Sequence, residues 1–120
     1  MKGDTKLNIS LLNLLRDGGY IIYSRHGEAT VGVDRINLNF WNCFTQRNLS
    51  EEGRIQALYY GEILRSLEIP ISYPIITSPF CRTIQTTQLA FGRVSIQIDP
   101  FLFEVYKMDH IYQVRKKKEY

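Results

Sequence analysis

Histidine is scarce in this sequence, two residues in 120, and cysteine is equally so. The cysteines, Cys43 and Cys81, form neither a CxxC pair nor a zinc-type spacing, which argues against a structural zinc site or a dithiol redox motif. Two free thiols in a reducing cytoplasm is the expectation. A disulfide between them is the minority alternative, because sequence alone does not show proximity. There is no apolar run near the ~20 residues needed to cross a bilayer, so no membrane partner is expected. The amino end, "MKGDTKLNISLLNLLRDGG", has no small-residue cleavage site and does not read as a secretory signal. Internal repeats, low-complexity segments and interdomain linkers are also missing.

Excess charge of one sign is small. Lys and Arg number 15 against 12 Asp and Glu, a net +3, and Lys116, Lys117 and Lys118 cluster at the carboxyl end. Without that cluster the body is close to neutral. A nucleic-acid binder would instead carry its cations as a stripe on a folded face, so no nucleic-acid partner is expected. What the chain does have is 44% hydrophobic and 12% aromatic residues, a globular composition, at a length that suits one domain over residues 1–120.

The order of elements follows from period and punctuation. Leu7, Leu11, Leu12, Leu14 and Leu15 recur at helical spacing until Asp17-Gly18-Gly19. "YIIYS", Tyr20–Ser24, reads as a buried first strand. From Arg25 to Asn48 no period survives, and a loop of that length usually has a function. Ser50 is a good N-cap, with Glu51 and Glu52 in the first turn where the helix dipole favours them. Ile55, Leu58, Tyr59, Ile63 and Leu67 then make an apolar stripe expected to face the core, with Pro70 ending the element. "YPIIT" reads as a second strand, "CRTIQTTQLAF" as a helix closed by Gly92, and "VSIQI" as a third strand. Alternating strands and helices predict an α/β fold with a mainly parallel sheet.

In open α/β sheets, ligands bind beyond the carboxyl ends of the strands. The first strand would end at Arg25-His26-Gly27-Glu28. The second would end at Ser78-Pro79-Phe80, with Arg82 in the next helical turn. If the strands are neighbours, two arginines and one histidine converge. A neutral imidazole can attack phosphorus, and guanidinium forks match the phosphoryl oxygens with paired hydrogen bonds. Gly27 would admit close approach of backbone to phosphate. Neither a metal nor another cofactor is called for. A cysteine-based phosphatase would need arginine six positions after its cysteine; Leu49 and Thr87 stand there instead.

Three segments, "RHGE" at 25–28, "NLSEEGRIQA" at 48–57 and "SPFCRTIQTTQLAFG" at 78–92, occur in an order and spacing that resemble the histidine phosphatase superfamily, the phosphoglycerate-mutase-like proteins. The resemblance covers roughly residues 19–104. "CFTQRNLSEEGR" resembles in particular the bacterial branch that includes lipopolysaccharide-core heptose phosphate phosphatases. The resemblance implies a three-layer α/β/α fold and hydrolysis of a small phosphomonoester through a phosphohistidine. His26 would be the nucleophile, Arg25 and Arg82 the phosphate clamp, and Glu104 the proton donor, needing a raised pKa to stay protonated. Gly27, Glu28, Asn37, Thr45 and Ser78 would contact substrate or phosphate, with Asn39 and Cys43 in the same loop. A mutase, which returns the phosphoryl group to a second hydroxyl, belongs to the same chemistry.

The family also has a second histidine in a late "HG" or "HS" segment. His110, in "KMDHIYQVRKKKEY", follows no apolar strand and is followed by no small residue, so it does not match. Residues 107–120 read as an atypical tail, and truncation at the carboxyl end is the simplest expectation. It would remove a donor from the pocket and a strand from beside the first, leaving apolar edge and face exposed. A homodimer could cover that gap. The alternative function is a catalytically silent fragment that at most binds phosphate.

Overall fold

A computed structural model describes residues 9–103 of the chain. Glu104, His110 and the lysine cluster lie outside the described residues. In chain order the elements are α1 (Ile9–Asp17), a 3-10 turn (Cys43–Thr45), α2 (Glu51–Ser66), β1 (Ile75–Thr77), α3 (Cys81–Phe91) and β2 (Ile96–Ile98). β1 and β2 pair in parallel, Ile75 opposite Ile96 and Thr77 opposite Ile98, so α3 is the crossover of a β-α-β unit. The α/β class is therefore present. Among the described residues the sheet has two strands, and α2 packs along α3.

Local chemistry explains where the helices begin and end. Ser50 Oγ accepts the Gly53 N–H at 3.0 Å, and Glu51 and Glu52 occupy the first turn of α2. α1 stops before Gly18 and Gly19, both with positive φ. α2 stops at Ser66, before Pro70 is reached, with Leu67 as cap and Glu68 at φ 57°. The Arg16 Nε–H donates to the Leu67 carbonyl at 2.8 Å, tying the end of α1 to the end of α2.

Two sequence expectations fail here. Tyr20–Ser24 does not form a strand. A strand exists only through a partner's hydrogen bonds, and no described strand lies alongside. The segment is held from the other side, by a Ser24 Oγ–Tyr60 hydroxyl contact and by the bond from the Gly27 N–H to Thr86. Its apolar side chains stay in solvent, with Ile21 73% exposed.

The apolar stripe of α2 also faces the wrong way. Ile55, Leu58, Tyr59 and Ile63 are exposed, whereas Gly53, Ala57, Gly61 and Leu64 are buried. The reason is distance. α2 meets α3 and the 27–28 backbone so closely that a methyl on Gly61 would overlap the Ala90 carbonyl, and one on Gly53 would overlap the Glu28 carbonyl. Glycine fits the closest contacts of this seam, and Ile55, Leu58, Tyr59 and Ile63 are displaced to the outer face while Leu64 alone of the large aliphatic residues of α2 is buried.

Gly61→Ala is therefore expected to destabilise the protein by about 1–3 kcal/mol, as overpacking does. Tyr59→Ala, on the outer face, should change stability by about 0.5 kcal/mol or less. Urea unfolding of both variants checks this; equal losses would reject the small-residue seam.

Candidate active site

His26 sits where an unpaired extended segment crosses the α2–α3 seam. Gly27 anchors it: its N–H donates to Thr86 Oγ1 at 3.1 Å, and a methyl at this position would overlap the Gly53 carbonyl. Thr86 Oγ1 in turn donates to the Arg82 carbonyl at 2.8 Å, one helical turn earlier. The Glu28 N–H donates to Gln56 Oε1 at 2.9 Å. The backbone on both sides of the imidazole is thus pinned to the two helices. A cleft of about 220 Å³ opens there, with Arg25 and His26 on one wall, Gln56 and Tyr60 from α2 on another, and Thr86 from α3.

The ring has a defined tautomer. His26 Nδ1 lies 2.6 Å from the Gly27 carbonyl oxygen, which only accepts, so Nδ1 carries the hydrogen. In the neutral ring the lone pair is then on Nε2. Burial lowers the His26 pKa from 6.5, and the Arg82, Arg25 and Arg47 guanidinium groups lower it further, against the opposing pull of the Gly27 carbonyl. The imidazole is accordingly neutral at neutral pH, with a nucleophilic nitrogen in the field of three guanidinium groups.

Arg82 is placed differently from Arg25. Its side chain is 2% exposed and does not line the cleft. Nη1 and Nη2 donate to the two Asp34 carboxylate oxygens at 2.9 and 3.1 Å, Nη1 also reaches the Arg47 carbonyl at 3.0 Å, and the guanidinium carbon lies 4.0 Å from the centre of the Phe80 ring. Its charge still reaches His26. Arg47, from the long loop, is the third cation; its Nη1 donates to the Ala29 carbonyl at 2.6 Å. No period or turn signal in "CFTQRNLS" distinguished Arg47, Gln46 or, further back, Asp34.

The other predicted contacts have structural partners. Glu28 accepts from Ser50 Oγ at 2.6 Å and so supports the α2 cap. Ser78 is buried, its Oγ 2.7 Å from Thr83 Oγ1. Thr45 Oγ1 accepts the Asn39 N–H and donates to the Asn42 carbonyl, knitting the loop to itself. Asn37 is exposed on that loop. None of these four lines the cleft.

The expectation of free thiols is overturned. Cys43 and Cys81 are disulfide-bonded, with Cα atoms 5.8 Å apart. Two features bring them together. The Cys81 N–H donates to Oε1 of fully buried Gln46 at 2.8 Å, and Arg82, the next residue, is tied to Asp34 and Arg47. Residues distant in sequence meet because the loop lies across the start of α3.

The profile of the histidine phosphatase superfamily, branch 1, matches residues 21–112. The chain belongs to that superfamily, and the match runs past Glu104. No curated protein and no solved structure matches the chain significantly. No described helix is long and apolar enough to cross a membrane.

Because the disulfide closes a loop between residues 38 apart, the chain-entropy relation assigns it about 4 kcal/mol. Denaturant unfolding with and without a dithiol reductant should show a loss of that order in the native chain and none in Cys43→Ser/Cys81→Ser. An unchanged midpoint on reduction of the native chain would contradict the bridge.

Proposed function

We propose that this protein hydrolyses a small phosphomonoester through a phosphohistidine at His26. Superfamily membership supports phosphatase or mutase chemistry. The observation that carries the residue assignment is the Nδ1–H hydrogen bond to Gly27, which leaves Nε2 as the attacking atom in a cleft shared with Arg25. Nε2 attacks phosphorus, the ester oxygen leaves with its electron pair and takes a proton, and water then cleaves the N–P bond. Arg25, which shares the cleft wall with His26, stabilises the charge on the phosphoryl oxygens, and Arg82 and Arg47 add to the field. Glu104 is the proposed proton donor. The likeness of "CFTQRNLSEEGR" to heptose phosphate phosphatases supports a phosphorylated sugar as the substrate class.

A second reading, phosphate binding without turnover, is favoured by one observation: both Nη atoms of Arg82 are bound to Asp34. Trapping decides between the two readings. Exposure to an aryl phosphate followed by rapid quenching should leave acid-labile phosphate on the native chain and none on His26→Asn. Turnover should lose activity on the acid side with a midpoint below 6.5, because only the neutral ring attacks. Unlabelled His26 with intact phosphate binding would support the second reading, and unchanged turnover in His26→Asn would exclude the mechanism.

A further inference from the structure

We propose that Asp34 is a positioning residue of this site, acting through the Arg82 and Arg47 segments rather than on substrate; the inference rests on the anion-binding role proposed for the cleft. Three observations meet at this one carboxylate. It takes Arg82 end-on, Oδ1 on Nη1 at 2.9 Å and Oδ2 on Nη2 at 3.1 Å, which fixes the plane of the guanidinium. Oδ1 also accepts the Arg47 backbone N–H at 2.8 Å, and the Arg47 carbonyl returns to Arg82 Nη1. A single side chain thereby fixes the Arg82 guanidinium and the Arg47 backbone, and the charges of both residues act on His26; the Arg82 carbonyl is in turn bonded through Thr86 to the Gly27 N–H.

Asp34 is itself only 15% exposed and reaches Arg82 across 48 residues of chain. This is not a solvated surface pair. The titratable and charged groups that share the cleft with the imidazole or act on its charge come from several elements: Arg25 from its own segment, Arg47 from the loop, Tyr60 from α2 and Arg82 from α3. Asp34 is the carboxylate bonded into this set.

Charge alone argues the opposite way, since deleting an anion beside cations should tighten phosphate binding. Orientation outweighs it. A buried arginine without its carboxylate loses its fixed plane, and misplacing a binding group by about 1 Å can reduce function about a hundredfold. The same deletion removes the Asp34 charge from beside Arg82, whose positive charge acts on His26, so the ring should titrate lower still.

The test monitors the His26 imidazole by NMR in the full chain, titrating inorganic phosphate and, separately, pH. Asp34→Asn should weaken phosphate at least tenfold and move the His26 midpoint further down. Added to Arg82→Met, it should cause no additional loss of phosphate binding, because the asparagine Oδ1 can still accept the Arg47 N–H and only the Arg82 contact is removed. If Asp34→Asn alone does not fold, Asp34→Asn/Arg82→Met compared with Arg82→Met decides, since removing both charges of a buried ion pair commonly costs less than removing one. Phosphate binding within twofold of the native chain or tighter, an unmoved His26 midpoint, or a further loss on top of Arg82→Met would overturn the proposal. A native chain that binds phosphate but does not hydrolyse an aryl phosphate would refute the hydrolase reading and leave this inference standing; one that binds no phosphate would refute both.

Discussion

The interaction on which the rest of this structure depends is the burial of one guanidinium. A cation taken out of water needs a partner and hydrogen bonds for its donors, and removing that partner typically costs 3–5 kcal/mol. Arg82, 2% exposed in the first turns of α3, imposes that demand. The long loop meets it: Asp34 gives two carboxylate oxygens, Arg47 a carbonyl, and Phe80 a ring face. Once the loop is held there, Cys43 lies against Cys81 and Gln46 is sealed beneath. What the sequence presents as a stretch without period is shaped by what Arg82 requires.

A second constraint acts at the seam of α2 with α3. Gly27, Gly53 and Gly61 let backbone meet backbone there, and the resulting contacts, rather than a strand ladder, hold the segment that carries His26. The nucleophile candidate therefore stands on two helices. That arrangement leaves Ile21, Tyr23, Ile55 and Tyr59 in solvent, and it explains how an ordered imidazole coexists with so much uncovered apolar surface.

Much of this was legible in the residues. Caps and breakers placed α1, α2 and α3, because Ser50, Gly18 and Gly92 act locally. The apolar run in "YPIIT" marked β1, and the alternation in "VSIQI" marked β2. The RHG segment pointed to His26 and Arg25, and both line the cleft, whereas Arg82, expected to converge with them, does not. The failures share a cause. Hydrophobic pattern says which residues are apolar, not which neighbour they will have. Tyr20–Ser24 needed a partner strand, and the α2 stripe lost its place to a seam too narrow for it. Asp34, Arg47 and Gln46 act across 35 to 48 residues, a range at which no local signal exists. The Cys43–Cys81 bridge was hidden for the same reason.

The central claim is that burial, together with the charges of Arg82, Arg25 and Arg47, keeps the His26 ring neutral, and that the Gly27 carbonyl fixes its hydrogen on Nδ1, leaving Nε2 available. Nitrogen-15 shifts of the His26 ring across a pH titration test it most directly. A protonated Nδ1 and a bare Nε2 at neutral pH, with a midpoint below 6.5, are the expected result. A proton on Nε2 in the neutral ring, or a midpoint at or above 6.5, would contradict it.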